Sequence, residues 1–294
     1  MPSNLNEFLK DFRMIIEEEL SQNLQKLTIP KQLKDSMLYS VEAGGKRLRP
    51  ILLLASYKAY DENYQKALSS SIALEMVHTY SLIHDDLPAM DDDNYRRGKL
   101  TNHKAFDEAT AILAGDALLT YSFELIGKDT LLTNDEKVEM ITNLSASSGP
   151  SGMVAGQFLD MDAENRTITL EELEQIHMLK TGKLLEFAIY AGAYLAGATK
   201  QQLENLKEYS FYLGLIFQVQ DDILDITGDE EKLGKPVGSD EGNEKGTYPK
   251  LLGLDGAINK KKEYVNKAVA ALEKADAHNS HLMALTEHFS NRDH

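Results

Sequence analysis

Residues Ser81–Gly98 read SLIHDDLPAMDDDNYRRG, and the way this stretch ends a helix decides how the rest of the chain must fold. A mostly apolar helical run enters it and closes on Asp85 and Asp86. Pro88 follows, then Asp91, Asp92 and Asp93, then Arg96 and Arg97. Proline has no N–H, and its ring clashes with the carbonyl four residues back, here that of His84, so a regular helix stops or kinks there. The spacing predicts that Asp91–Asp93 curl back beside Asp85 and Asp86 instead of running on along one rod. Five carboxylates within nine residues repel one another, and such a group stays at a buried helix end only if cations neutralise it. All-oxygen ligands of this kind suit Mg²⁺, which keeps several waters and shares the rest of its shell with a phosphate. Taken alone, the stretch reads equally well as a solvated acidic loop.

A second acidic group changes the balance. Residues 214–225 read GLIFQVQDDILD. Asp221 and Asp225 are four apart and share a helix face, with Asp222 to the side. Like charges at that spacing destabilise a helix unless something positive lies between them. This pair also follows an apolar run, Leu213–Val219, interrupted only by Gln218. Two acidic groups, each at the end of a core helix, predict opposing walls of one cavity, with metal ions between them holding a polyphosphate.

Composition sets the bounds. A chain of 294 residues forms one large domain or two, and an apolar fraction of 42% can build a large core. The formal charge is −16, from 47 acidic and 31 basic residues. That balance argues against nucleic acid and against anionic lipid as partners, since both need a basic face. With no cysteine there is neither a disulfide nor thiolate catalysis. The opening MPSNLNEFLKDF lacks the basic start and apolar core of a secretory signal. The longest uncharged apolar-rich run, Phe187–Ala198, falls short of the ~20 residues that span a bilayer. A soluble, cytoplasmic protein without stable membrane attachment is expected.

Outward from the two acidic groups, helical periodicity dominates. Leu5, Phe8, Leu9, Phe12, Ile16 and Leu20 predict an amphipathic first helix. Pro30 opens a second helix, which Gly44 and Gly45 end, and Pro50 sits in the first turn of a third. Further helices are expected over Lys66–Leu87, Asn102–Ile126 with Gly127 as stop, Asp135–Ser147 before the turn Gly149–Gly152, and Leu170–Gly197. In the last of these, Gly182, Gly192 and Gly197 would admit close neighbours. Lys200–Thr227 carries the second acidic group, Gly228–Thr247 reads as a mobile flap, and Ile258–Ala275 and Ser280–Phe289 close the chain. No stretch alternates strictly enough for a strand. The expectation is one all-α domain over residues 1–294, an orthogonal helical bundle with the cavity between the two Asp-bearing helices.

DDLPAMD (Asp85–Asp91) and DDILD (Asp221–Asp225) resemble the two aspartate-rich motifs of the trans-type short-chain polyprenyl diphosphate synthases, most closely the bacterial farnesyl diphosphate synthases. GGKRLRP (Gly44–Pro50), MVHTYSLIHDD (Met76–Asp86), RRG (Arg96–Gly98), MLKTGKLL (Met178–Leu185) and LGKPVG (Leu233–Gly238) extend the likeness in the same order. The resemblance implies a Mg²⁺-dependent prenyltransferase that condenses isopentenyl diphosphate with dimethylallyl or geranyl diphosphate, with three ions beside the bound diphosphate. It implies Asp85, Asp91 and Asp221 as leading metal ligands, supported by Asp86, Asp222 and Asp225. Arg96, Lys180 and Lys235 would touch the allylic diphosphate. Gly45, Lys46, Arg49, His78 and Arg97 would hold the second diphosphate without metal, and Thr181 and Gln218 would face the developing cation. It also implies a homodimer. An aromatic residue five positions before the first motif goes, in the family, with a fifteen-carbon product, so Tyr80, with Ser81 beside it, is expected to floor the tail cavity.

Bland alternatives stand beside each residue. Lys46, Arg47 and Arg49 also suit a basic helix start, His78 a satisfied core histidine, Thr181 a back-bonded helix threonine, Lys180 a solvated lysine, and Arg96 and Arg97 simple balance for the acidic loop. Ser239 stands where many relatives carry a flap lysine, although Lys245 is kept, and the terminal NRDH is weakly basic. Rival readings are a geranylgeranyl diphosphate synthase, a terpene cyclase (disfavoured by the second motif), a non-catalytic synthase subunit and an acidic cation-binding scaffold.

Overall fold

Helix α1 (Leu5–Gln25) turns Phe8, Phe12, Ile16, Leu20 and Leu24 inward, and the Asn4 side chain caps it by accepting from the Asn6 N–H. Spacing of apolar residues at four-residue steps buries one stripe and leaves the opposite face polar. The structure, a computed structural model, describes residues 4–164, 166–227 and 246–292. Lys235, Ser239, Lys245 and nearly all of the expected flap lie outside the described residues.

α2 (Lys31–Val41) follows Pro30 and ends before Gly44 and Gly45, whose φ values of 86° and 126° are open to glycine at little cost. α3 (Leu48–Tyr57) is buried from Pro50 onward. A 3₁₀ turn over Tyr64–Ala67 leads into α4 (Leu68–Asp85), which carries the first acidic group. α3 packs against both α4 and the buried helix α10 (Lys183–Leu195), and these three form the centre of the core. α11 (Lys200–Thr227) carries the second acidic group and lies along α12 (Tyr248–Lys274), with α13 (His281–Asn291) against both.

Several expectations are corrected. Asn102–Ile126 is not one helix: α5 (Asn102–Ala105) stops at Phe106, and Asp107 starts α6 (Glu108–Lys128) by accepting from the Thr110 N–H. An Asp with extended backbone is among the best helix N-caps, so the chain restarts there despite continuous apolar spacing. α7 (Asn134–Ser148) opens with a Thr133–Glu136 capping box. A helix not expected, α8 (Met153–Asp162), follows the Gly149–Gly152 turn. The long helix over Leu170–Gly197 is α9 (Leu170–His177), a wide π turn over Met178–Gly182, and then α10. α12 begins ten residues before the expected start, with a break at Gly253 (φ 73°). Gly192 does admit a neighbour, since a Cβ there would lie 2.1 Å from the Leu53 carbonyl oxygen, whereas Gly197 (φ 82°) simply ends α10.

A two-stranded antiparallel hairpin also appears, pairing β1 (Tyr95–Arg96) with β2 (Lys99–Leu100). Its turn residues Arg97 and Gly98 have φ of 53° and 76°, the sign a tight hairpin turn demands at both central positions. By length and composition α6 is the one helix among the described residues able to cross a membrane. It packs along α4, and 33% of its apolar window is buried.

Candidate active site

The first acidic loop folds back as the proline requires. The Asp91 N–H donates to the Asp85 carbonyl at 2.9 Å, and the Met90 and Asp92 N–H groups donate to that of Leu87 at 2.8 and 3.2 Å. Burial pushes the Asp85 carboxyl up to about 6. Lys180 opposes that shift, and the neighbouring Asp91 and Asp86 add to it. Asp86 is buried and bonded to Arg96 through Nε at 2.7 Å and Nη2 at 2.5 Å. Arg96 also reaches Asp93 at 3.5 Å. The hairpin turn sends the two arginines apart, Arg96 to the acidic loop and Arg97 to the Gly44 carbonyl.

On α11, whose Asp221 and Asp222 line a different cavity from Asp85 and not the single one expected, Asp222 is buried and accepts from the Tyr248 N–H at 2.8 Å, with His177 Nε2 4.0 Å away. Asp225 is buried as well. Asp221 is ion-paired with Arg292, whose guanidinium lies 4.0 Å from the centre of the Phe217 ring and donates to the Phe217 carbonyl at 3.1 Å. Gln218 Nε2 lies 3.3 Å from His177 Nδ1. Burial pushes His177 down to about 4, with Asp160 opposing and Lys180 adding.

Lys180 and Thr181 sit in the π turn, a local widening often found at functional sites. α8 seats that turn: a Cβ on Gly156 would lie 2.1 Å from the Lys180 backbone nitrogen, so only glycine permits the approach. Asp160, on the same helix, holds Lys180 Nζ at 2.6 Å.

Two cavities meet at this turn. One, of about 590 Å³, is largely apolar and runs under Asp85 past His78, Tyr80, Ser81 and His84 to Ile112 on α6 and Phe158 on α8. The other, of about 320 Å³, is lined by Asp160, His177, Gln218, Asp221 and Asp222. Arg49, Lys180 and Thr181 line both. Asp86 and Asp225 line neither, and Asp91 stands on the exposed loop beside them. Lys46 lines a separate groove of about 660 Å³ with Arg13, Leu48 and Arg292.

Positive charge is concentrated behind the shared wall. Arg49 donates to His78 Nε2 at 3.2 Å, while its buried Nε finds no partner among the described residues. Burial lowers the His78 pKa well below the usual range, and Arg49, Arg97, Arg96 and Arg47 lower it further. His78 is therefore a neutral acceptor among four arginines. Arg47 is committed to Glu75 at 2.7 Å, and a Cβ on Gly45 would lie 2.6 Å from the Arg97 guanidinium carbon. Guanidinium groups whose donors outnumber their protein acceptors form an anion site.

Comparison with known proteins gives the family. A profile of the family described as Polyprenyl synthetase matches residues 30–286. The chain belongs to the polyprenyl synthetase family. It is 49% identical over 293 residues to a farnesyl diphosphate synthase of Geobacillus stearothermophilus, covering 99% of each chain. It is 44% identical over 291 residues to a geranylgeranyl diphosphate synthase of Cyanophora paradoxa, covering 98% of this chain and 97% of that one. Among solved structures, an FPP/GFPP synthase from Zymomonas mobilis superposes with a TM-score of 0.85 at 35% identity, over 97% of this chain and 99% of that one. The all-α isoprenoid synthase fold follows from these matches.

The donor chemistry of this polyprenyl synthetase suits Mg²⁺. Among the described residues no three His, Asp or Glu side chains already converge on one ion position. The carboxylates of Asp85, Asp221 and Asp222 on the cavity walls are the oxygen donors that Mg²⁺ takes, with water and phosphate completing its shell. Burial raises the Asp85 carboxyl, with Asp91 and Asp86 adding to it, and a cation beside it would favour the charged form. Sequence reasoning missed three residues at this site. Asp160 lay on the unexpected α8, and His177 sits one residue before the quoted MLKTGKLL. Arg292 belongs to a tail read only as weakly basic.

Proposed function

We propose that this chain joins isopentenyl diphosphate to dimethylallyl and then geranyl diphosphate, giving (2E,6E)-farnesyl diphosphate and releasing diphosphate. The observation that carries the proposal is the meeting of an apolar cavity and an acidic cavity at Arg49, Lys180 and Thr181. One cavity suits a hydrocarbon tail and the other a charged head. The farnesyl diphosphate synthase likeness over 99% of both chains supports the same reading.

Asp85, Asp91 and Asp221 would hold Mg²⁺ with the allylic diphosphate, with Asp222 and Asp225 supporting from the buried side of α11. Asp86 would join them only by releasing Arg96. Mg²⁺ when bound would withdraw charge from the diphosphate and make it a better leaving group. The allylic C–O bond breaks with its electron pair going to the diphosphate. Lys180 would meet the charge gathering on that oxygen, and the Thr181 and Gln218 oxygens would face the delocalised cation, electrostatic stabilisation placed where charge develops. Arg49, Arg97 and neutral His78 would hold isopentenyl diphosphate beside Gly45, and Lys46 would join them only by turning out of the separate groove it lines. Its alkene pair forms the new C–C bond, and loss of a proton to the departed diphosphate restores a double bond. Lys235 is assigned to the same head group by resemblance alone.

Tyr80 and Ser81 line the apolar cavity beneath Asp85, so the tail would meet the Tyr80 ring there, and the family resemblance implies that this limit falls at fifteen carbons. The deeper-pocket alternative, a geranylgeranyl synthase, predicts a twenty-carbon product. One domain over residues 1–294, a cytoplasmic setting and a homodimer complete the proposal. The dimer is supported by the exposed apolar side chains Ile112 and Leu113 on α6.

The deciding experiment incubates the chain with both five-carbon diphosphates and Mg²⁺, identifies the lipids, and repeats the assay in EDTA. Farnesyl diphosphate that disappears on chelation is expected. Coupling that survives EDTA, or Mg²⁺ binding without turnover, would overturn the reading.

A further inference from the structure

The His84 ring is wedged between α4 and α6. Its Nε2 lies 3.1 Å from the Ile112 carbonyl and 3.9 Å from an Asp116 carboxylate oxygen. An imidazole nitrogen facing a carbonyl carries the proton, so His84 donates and is anchored to the α6 backbone. One turn earlier on α4, the Tyr80 ring meets His84 edge-on, with centroids 5.5 Å apart and planes at 88°, a favourable aromatic geometry.

This wedge exists because residue 115 is glycine. A Cβ on Gly115 would lie 2.3 Å from His84 Nε2 and 2.6 Å from Cδ2, far inside van der Waals contact. Gly115 is buried in the interior of α6, where glycine costs roughly 0.5–1 kcal/mol relative to alanine. A close approach is the physical reason to keep it. Its counterpart in the approach is a side chain that lines the tail cavity together with Tyr80 and Ile112.

We propose that Gly115 and His84 are positioning residues for product length: Gly115 leaves room for the His84 ring against α6, and His84 fixes the Tyr80 ring at the end of the tail cavity. The inference rests on the farnesyl reading and deepens it. A methyl group at residue 115 drives the imidazole off α6, and the space open to it is toward Tyr80 and the cavity, so the cavity shortens. Removal of the imidazole has the opposite effect, since Tyr80 loses its lateral support and the cavity deepens.

The test compares the lipids made by wild type, Gly115→Ala, His84→Ala and the double variant, each with both five-carbon diphosphates and Mg²⁺. Gly115→Ala should raise the ratio of geranyl to farnesyl product by about tenfold, equivalent to ~1.4 kcal/mol of discrimination. His84→Ala should add a twenty-carbon product. In the double variant the effect of Gly115→Ala should vanish, because the ring it displaces is gone, and this non-additivity is the signature of direct coupling. His84→Gln, whose amide nitrogen reaches the place of the imidazole Nε2 and keeps a donor for the Ile112 carbonyl, should return the distribution toward wild type. Farnesyl product alone from both single variants would overturn the relay, as would an undiminished Gly115→Ala effect in the His84→Ala background. If Gly115→Ala fails to fold, the His84→Ala and His84→Gln products decide the matter alone. Failure of the wild type to make farnesyl diphosphate would bring down the underlying function and the relay together, a result distinct from failure in the variants only.

Discussion

Asp221 faces two demands at once: it is ion-paired with Arg292, and it is assigned to a metal. Asp221→Asn keeps the shape of the side chain and removes the charge both roles need. Turnover should fall by about 10²-fold or more, the scale seen when one group that stabilises developing charge is lost, while the circular dichroism spectrum stays helical. Near-normal turnover would remove Asp221 from the ligand set. Asp85 and His177 give a second test at this scale, because they pull stability in opposite directions. Asp85 is raised to about 6 in the folded chain, so it contributes stability at low pH that is lost as pH rises through 6. His177 is lowered to about 4, so its contribution is present above its ordinary value of ~6.5 and is lost as pH falls toward 4. Asp85→Asn removes only the first effect. In EDTA its unfolding free energy from urea titration should drop more steeply than that of wild type between pH 6 and pH 5, by up to about 1 kcal/mol.

At the scale of elements, close packing through glycine holds the frame that carries these side chains. Gly192 lets α10 lie against the α3 backbone, where a Cβ would be 2.1 Å from the Leu53 carbonyl oxygen. Gly192→Ala should cost about 1–3 kcal/mol in urea unfolding, the usual range for overpacking a tight contact. An unchanged midpoint would mean that the helices separate easily. Most elements were legible because amphipathic spacing and caps agree: α1, α2 and α11 lie where the sequence puts them. α8 was not, since Val154 and Phe158 remain exposed and its short apolar pattern marks no single buried face. The break at Phe106 was hidden for another reason, as one Asp cap interrupts an otherwise continuous helical period. The acidic groups were legible because charge at the end of an apolar run is locally anomalous. The pairing of Lys180 with Asp160 could not be read, because it depends on a tertiary approach through Gly156.

For the whole molecule, α6 carries the clearest unmet demand. Leu113 is 57% exposed on a helix apolar enough to avoid water. Leu113→Glu should convert the proposed dimer into a monomer-sized species in sedimentation velocity, whereas a wild type that sediments as a monomer would contradict the dimer outright. The wide turn at Met178–Gly182 has a different reach, because it is where both cavities share a wall. A π turn holds one residue more than the regular coil it interrupts, so removal of one amino acid there would tighten it to an ordinary α turn and withdraw the widening that presents Lys180 and Thr181 to the shared wall. Point changes would alter chemistry one group at a time; a three-nucleotide deletion in the coding sequence could extinguish it in a single step while leaving every ligand in the chain.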